Sequence, residues 1–155
     1  MKAQQVLCAQ CGNLRKMILS ECPFCGEIKT LDNLQSQKLI YVINLEINMP
    51  TVEAAMDRFQ DHLDVIKGKG MRIVKVIHGH GSSGNGGKIR QAFRQAMDYG
   101  LWGESIIEVF YGEVLLTHHP EFKNLLERYP SIKQSITKDM QGNPGITLLI
   151  MDKNY

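Results

Sequence analysis

The sequence predicts an α/β fold: a two-layer β-α-β-α-β-β sandwich with one mixed four-stranded sheet, preceded by a small metal-knuckle module. The first observation is a set of short apolar, β-branched runs: Lys38–Leu45, the Ile73, Val74, Val76, Ile77 run, Ser105–Tyr111 and Gly145–Met151. Their length and composition are those of buried strands. The second is a pair of amphipathic segments between the first three runs, with apolar residues recurring at i, i+3 and i+4. The third is the placement of all four cysteines in the first 25 residues, as two C-x2-C pairs ten residues apart.

The cysteines define the first module, residues 1–29. Cys8 and Cys11 form one pair, Cys22 and Cys25 the other. Each pair runs into glycine, Gly12 or Gly26, and Pro23 stiffens the second. Such turns aim two thiolates at one cation, and four thiolates in tetrahedral array suit Zn²⁺. With every ligand position filled by cysteine the metal is structural. A module this short has little core, so metal binding supplies most of its folding energy, about 10–16 kcal/mol in comparable zinc peptides. Two alternatives stand beside zinc. One is a pair of disulfides in an exported protein. The other is iron, because the CxxCG and CPxCG pairs also resemble the knuckles of rubredoxin, which would make the module an electron carrier.

Thr30–Gln37 is polar and aperiodic and is expected to be a linker. The main domain then spans residues 38–155. After its first strand, Pro50 and Thr51 mark a helix start, with Thr51 as N-cap. Val52, Ala55, Met56, Phe59, Leu63 and Ile66 form the apolar stripe, and Gly68 and Gly70 stop the helix. His62 lies at the edge of that stripe and is expected to be packed rather than a ligand. Strands one and two, joined by this helix, imply a right-handed parallel crossover. An insert at 112–141 carries Pro120, Phe122, Leu125, Leu126 and Tyr129, a helix opened by proline and ended by Pro130. The His118-His119 pair before it is expected to be a loop feature.

The most informative stretch is Arg72–Met97. A strand breaks into His78-Gly79-His80-Gly81-Ser82-Ser83-Gly84-Asn85-Gly86-Gly87, and a helix follows with Ile89, Ala92, Phe93, Ala96 and Met97 on one face. Strand, glycine-rich turn and helix bring backbone N–H groups and a positive helix N-terminus together, which suits an anion. Glycines permit close backbone approach. No Asp or Glu lies between Asp64 and Asp98, whereas Lys67, Lys69, Arg72, Lys75, Lys88, Arg90 and Arg94 do, in a chain whose net charge is only +2. This is the footprint expected of a phosphate-backbone binder. Gly79, His80, Gly81, Gly84, Gly86, Gly87, Lys88 and Arg90 are the candidate phosphate-binding residues. A nucleotide P-loop does not fit: Ser82 stands where its first glycine belongs, and Ile89 replaces the magnesium-binding hydroxyl.

Ile77-His78-Gly79-His80-Gly81 followed by a basic amphipathic helix resembles the Smr (small MutS-related) domain, whose second motif is HGxG. The likeness covers roughly Lys38 to Lys153. It implies a role in nucleic-acid processing: DNA repair or recombination, or quality control of mRNA on the ribosome. It also implies endonuclease chemistry, with His78 as acid or base. The family's first motif, Asp-Leu-His-Gly or Asp-Leu-His-Ile, is altered here to Asn44-Leu45-Glu46-Ile47, which makes Glu46 a changed second catalytic group. Three function classes follow: a nucleic-acid-binding module, an active endonuclease and an iron redox protein. No run of about 18 apolar residues is present, and a cytoplasmic protein is expected.

Overall fold

The structure, a computed structural model, describes residues 5–7, 13–16, 21–26, 40–69, 71–80 and 87–152. The N-terminal segment forms a hairpin, in which β1 (Gln5–Leu7) pairs antiparallel with β2 (Leu14–Lys16). Further on, the Gly26 N–H donates to the Cys22 carbonyl at 2.8 Å, and Gly26 takes a φ of 73°, which closes a tight turn around Cys22–Cys25. Cys8, Cys11 and the linker 30–37 lie outside the described residues.

The main sheet holds β3 (Tyr41–Asn44), β4 (Ile73–Ile77), β5 (Ile106–Tyr111) and β6 (Ile146–Met151), in the spatial order β3-β4-β6-β5. β3 and β4 are parallel, with Asn44 beside Ile77. β6, the last strand in sequence, inserts between β4 and β5 and runs antiparallel to both. All six of its residues are buried, as expected of a strand covered on both faces and both edges.

α1 (Val52–Ile66) begins where Thr51 Oγ1 accepts from the Ala54 N–H at 3.1 Å and ends before Gly68, whose φ is 75°. α2 (Lys88–Asp98) follows the glycine-rich turn. The two helices cover one face. Ala55, Phe59 and Leu63 of α1 and Phe93 of α2 pack on Ile43, Val74, Val76, Leu149 and Met151. The Phe59 ring meets Phe93 edge-on at 5.1 Å and Trp102 at 4.7 Å. Each such buried ring contributes roughly 1.5–3 kcal/mol.

The second face is not open. α3 (Pro120–Arg128) and two 3₁₀ turns, Gly112–Val114 and Pro130–Ser135, lie across it. Leu115, Phe122, Leu125, Ile132 and Met140 pack on Ile73, Phe110, Leu148 and Ile150. Lys75 reaches Asp139 at 3.5 Å, and Arg128 grips Glu108. The expected two-layer sandwich therefore has a third layer, supplied by the insert. The physical reason is the alternation in β4 and β6: both faces of these strands are apolar, and each needs a cover. A bulge between Ile106 and Glu108 lets Ile106 and Val109, an odd three positions apart, both join the helical face.

Candidate functional site

β3 and β4 end side by side because they are parallel, and the chain leaving each is fixed by backbone and side-chain hydrogen bonds. The Leu45 N–H donates to Ile77 O at 2.8 Å, continuing the ladder one residue past Asn44. Asn44 Oδ1 then accepts from the Glu46 N–H at 2.9 Å, an Asx turn that swings the chain toward α1. On β4, the His78 and Gly79 N–H groups both donate to Gly145 O, each at 3.0 Å. Gly79 has a φ of 72°, and a Cβ placed there would lie 1.8 Å from Glu46 Oε1. The Glu46 carboxylate thus rests over the Gly79 α-carbon, which brings Glu46 and His78 to one edge.

His78 is buried, only 2% exposed. Its Nδ1 lies 2.8 Å from Gly79 O, and its Nε2 lies 2.8 Å from Thr147 Oγ1. A carbonyl can only accept, so Nδ1 carries the proton and Nε2 accepts from the Thr147 hydroxyl. The ring also lies against Phe93, with centroids 5.5 Å apart. Burial lowers its pKa to about 4; the Arg94 and Arg90 charges add to this, while the bond to Gly79 O opposes it. His78 is therefore neutral at pH 7. It ties β4 to β6, and both nitrogens are engaged inside the protein.

His80, two residues on, is exposed. Gly81, Gly84 and Gly86 lie outside the described residues. Gly87 precedes α2 with φ 33° and ψ 96°, no side chain among the described residues caps this helix, and its first turn holds no acid. The N–H groups of this turn carry the positive end of the helix dipole. Lys88 is exposed and Arg90 half-buried in the same turn. Between this turn and the start of α1 lies a pocket of about 370 Å³. Glu46 and His78 line it from the strand ends, and Met49, Pro50, Thr51 and Val52 line it from the approach to α1. Gly87, Lys88 and Ile89 close the third side.

The other cations of the acid-free stretch go elsewhere. Arg94 donates to both Glu113 carboxylate oxygens, at 2.7 and 2.6 Å, and stacks over the Tyr111 ring at 4.4 Å. Burial works against Glu113 ionisation, but Arg94 outweighs it and holds the carboxyl below its usual range. Burial, then the bond to Asp98, pushes the Tyr111 phenol up. Arg72 is buried and donates from Nε to Met151 O at 2.9 Å. Lys75 faces the insert, and Lys67 and Lys69 follow the C-terminal end of α1. The single basic field expected from the sequence is thus divided, and Lys88 and Arg90 are the members that line or adjoin the pocket.

In the N-terminal module, Cys22 is buried and Cys25 exposed, within the turn closed by Gly26. Among the described residues no group of three or more His, Cys, Asp or Glu side chains is placed to hold a metal ion. His119 caps α3, its Nδ1 accepting from the Glu121 N–H at 3.3 Å, and His62 Nδ1 bonds the Tyr41 hydroxyl at 2.8 Å.

The pocket wall and the hydrogen bonds behind it also involve residues that the sequence did not single out as functional. Thr147, the partner of His78, is the one polar residue in the strand Ile-Thr-Leu-Leu-Ile-Met, and that isolation was its signal. Gly145, whose carbonyl accepts the two N–H groups at the end of β4, and Met49 had none; Pro50, Thr51 and Val52 were visible only as the start of a helix. The chain matches no family model, no curated protein and no solved structure in these comparisons. Among the described residues no helix is long and apolar enough to cross a membrane.

Proposed function

We propose that this chain binds nucleic acid at the shared C-terminal edge of β3 and β4, with the cysteine module held by a structural Zn²⁺. One observation carries the interface: the acid-free first turn of α2, bearing Lys88 and Arg90, opens on the pocket between the helix starts. Phosphate oxygens are matched there by backbone N–H groups, the helix dipole and the cations of Lys88 and Arg90. The β-α-β-α-β-β order and the His78-Gly79-His80-Gly81 string support the Smr-like reading, with DNA or RNA, including ribosome-bound mRNA, as the partner class. The hairpin before the cysteine turn and the positive φ of Gly26 support a zinc knuckle. Thiolates at Cys8, Cys11, Cys22 and Cys25 would be its ligands.

Binding is favoured over cleavage because of His78. Proton transfer to a substrate requires a free nitrogen, and its Nε2 is held by Thr147 while its Nδ1 is held by Gly79. Its role in this reading is to position the loop. Labelled single- and double-stranded DNA and RNA, titrated with the pure protein at two salt concentrations, test both halves of the proposal. Affinity that falls steeply with salt and leaves the strands intact is expected. Salt-insensitive affinity would remove the phosphate interface. Strand cleavage that disappears in His78→Ala would replace the binding reading with the endonuclease one.

A further inference from the structure

Resting on the nucleic-acid reading, we propose that the pocket beside Glu46 takes an unstacked guanine base. A carboxylate is the wrong group for a phosphate site, because it repels the anion that Lys88 and the α2 terminus attract. Yet Glu46 lines the pocket, next to Lys88. Among the described residues its side chain has no hydrogen-bond or ion-pair partner; Glu46 bonds through its backbone, its N–H donating to Asn44 Oδ1 and its carbonyl accepting from the Met49 N–H. An exposed pair of acceptor oxygens at the edge of a basic turn is complementary to a neutral group with two donors, attached to a phosphate.

The bases differ on this point. The Watson–Crick edge of guanine presents two adjacent donors, the ring N1–H and the exocyclic N2 amino group, which match the two oxygens of a carboxylate. Adenine and cytosine each offer one amino donor beside a bare ring nitrogen, and that lone pair faces the second oxygen. Uracil and thymine offer one N–H flanked by two carbonyls. Guanine alone satisfies both Glu46 oxygens without setting acceptor against acceptor.

The rest of the pocket suits the remainder of a nucleotide. Its volume of about 370 Å³ falls in the roughly 300–1,000 Å³ range of small-molecule sites. Pro50, Val52 and Ile89 supply apolar surface for the faces of the base. Met49 stands at the mouth, 94% exposed, and its backbone and that of Asn48 are held at φ 47° and 64°. An unbranched thioether at that place can fold over a bound base. Lys88 and the α2 N-terminus then meet the phosphate attached to the same nucleoside.

The test measures binding of the full chain to short uridine oligonucleotides that carry one central guanine, adenine or cytosine, with GMP and AMP as competitors. One bidentate contact discriminates by about 1–3 kcal/mol, so the guanine oligomer is expected to bind at least about fivefold more tightly. In Glu46→Gln and Glu46→Ala the guanine-to-adenine affinity ratio falls to about one. In Lys88→Ala all the affinities fall together and the ratio persists. Competition by GMP but not AMP supports the proposal and shows that a free guanine nucleotide suffices. A guanine preference that GMP does not compete away also supports it and places the base within a strand. Equal binding of the three oligomers, or a preference that survives both Glu46 variants, overturns the guanine proposal alone. No binding to any oligomer or to GMP overturns it together with the nucleic-acid reading.

Discussion

Acidification should destabilise the main domain through His78. The buried ring has a pKa of about 4 in the folded chain, against an ordinary value near 6.5. Between those values the unfolded chain binds a proton that the folded chain does not, so stability is full above about pH 6.5 and falls as the pH drops. The largest slope is about 1.4 kcal/mol per pH unit. Going from about pH 7 to about pH 5 should remove about 2 kcal/mol, and the whole window about 3 kcal/mol. The structural cause is plain: protonating Nε2 sets two donors, the imidazolium and the Thr147 hydroxyl, against each other until the hydroxyl rotates, and it also places a charge in the core beside Phe93. Urea unfolding followed by the fluorescence of Trp102, the single tryptophan, reads this domain from its seat against Phe59. His78→Gln removes the titration, so its stability should lose about 2 kcal/mol less than wild type over the same interval. Equal losses in the two proteins would refute the assignment of the acid sensitivity to His78.

Three further outcomes are expected. Thr147→Val keeps the shape of the side chain but strands Nε2, and urea midpoints should report a loss of about 1–3 kcal/mol; no loss would mean that the bond contributes little. Gly79→Ala imposes a φ of 72° on an L side chain, at about 1–2 kcal/mol, and displaces the Glu46 carboxylate. Its signature is a lower urea midpoint together with a lost guanine preference. Native mass spectrometry should find one zinc per chain, lost in Cys22→Ser while Trp102 unfolding stays cooperative; a red, reducible protein would point to iron instead.

Much of this fold was legible because it rests on local rules. The α1 stripe and the Thr51 cap follow from spacing and capping chemistry, and the parallel β3–β4 pair follows from the crossover rule. That pairing is also what brings Glu46 to His78. The central position of β6 depends on long-range strand pairing, which leaves no local mark except an unbroken apolar run. The insert's apolar side, at Phe122 and Leu125, gave no sign of which surface it would cover. Charge was misleading for a geometric reason: Lys75 and its strand neighbours point to alternate faces, and Arg94 spends its charge on Glu113. A window of sequence without acids is therefore not a surface without acids. His78 was visible as a histidine at a strand end, but its burial came from Thr147, on a strand nearly seventy residues away.

The most direct measurement compares two double variants in the same anisotropy titration with labelled RNA and DNA. Lys88→Ala with Arg90→Ala removes the cations at the start of α2; Lys67→Ala with Lys69→Ala removes the same charge at the far end of α1. Each lost phosphate contact should lower the slope of log affinity against log salt by about one. The expected result is a slope reduced by about two and a large loss of affinity in the first variant, with the second close to wild type. Equal losses in both, or a loss confined to the second, would contradict an interface at the β3–β4 edge.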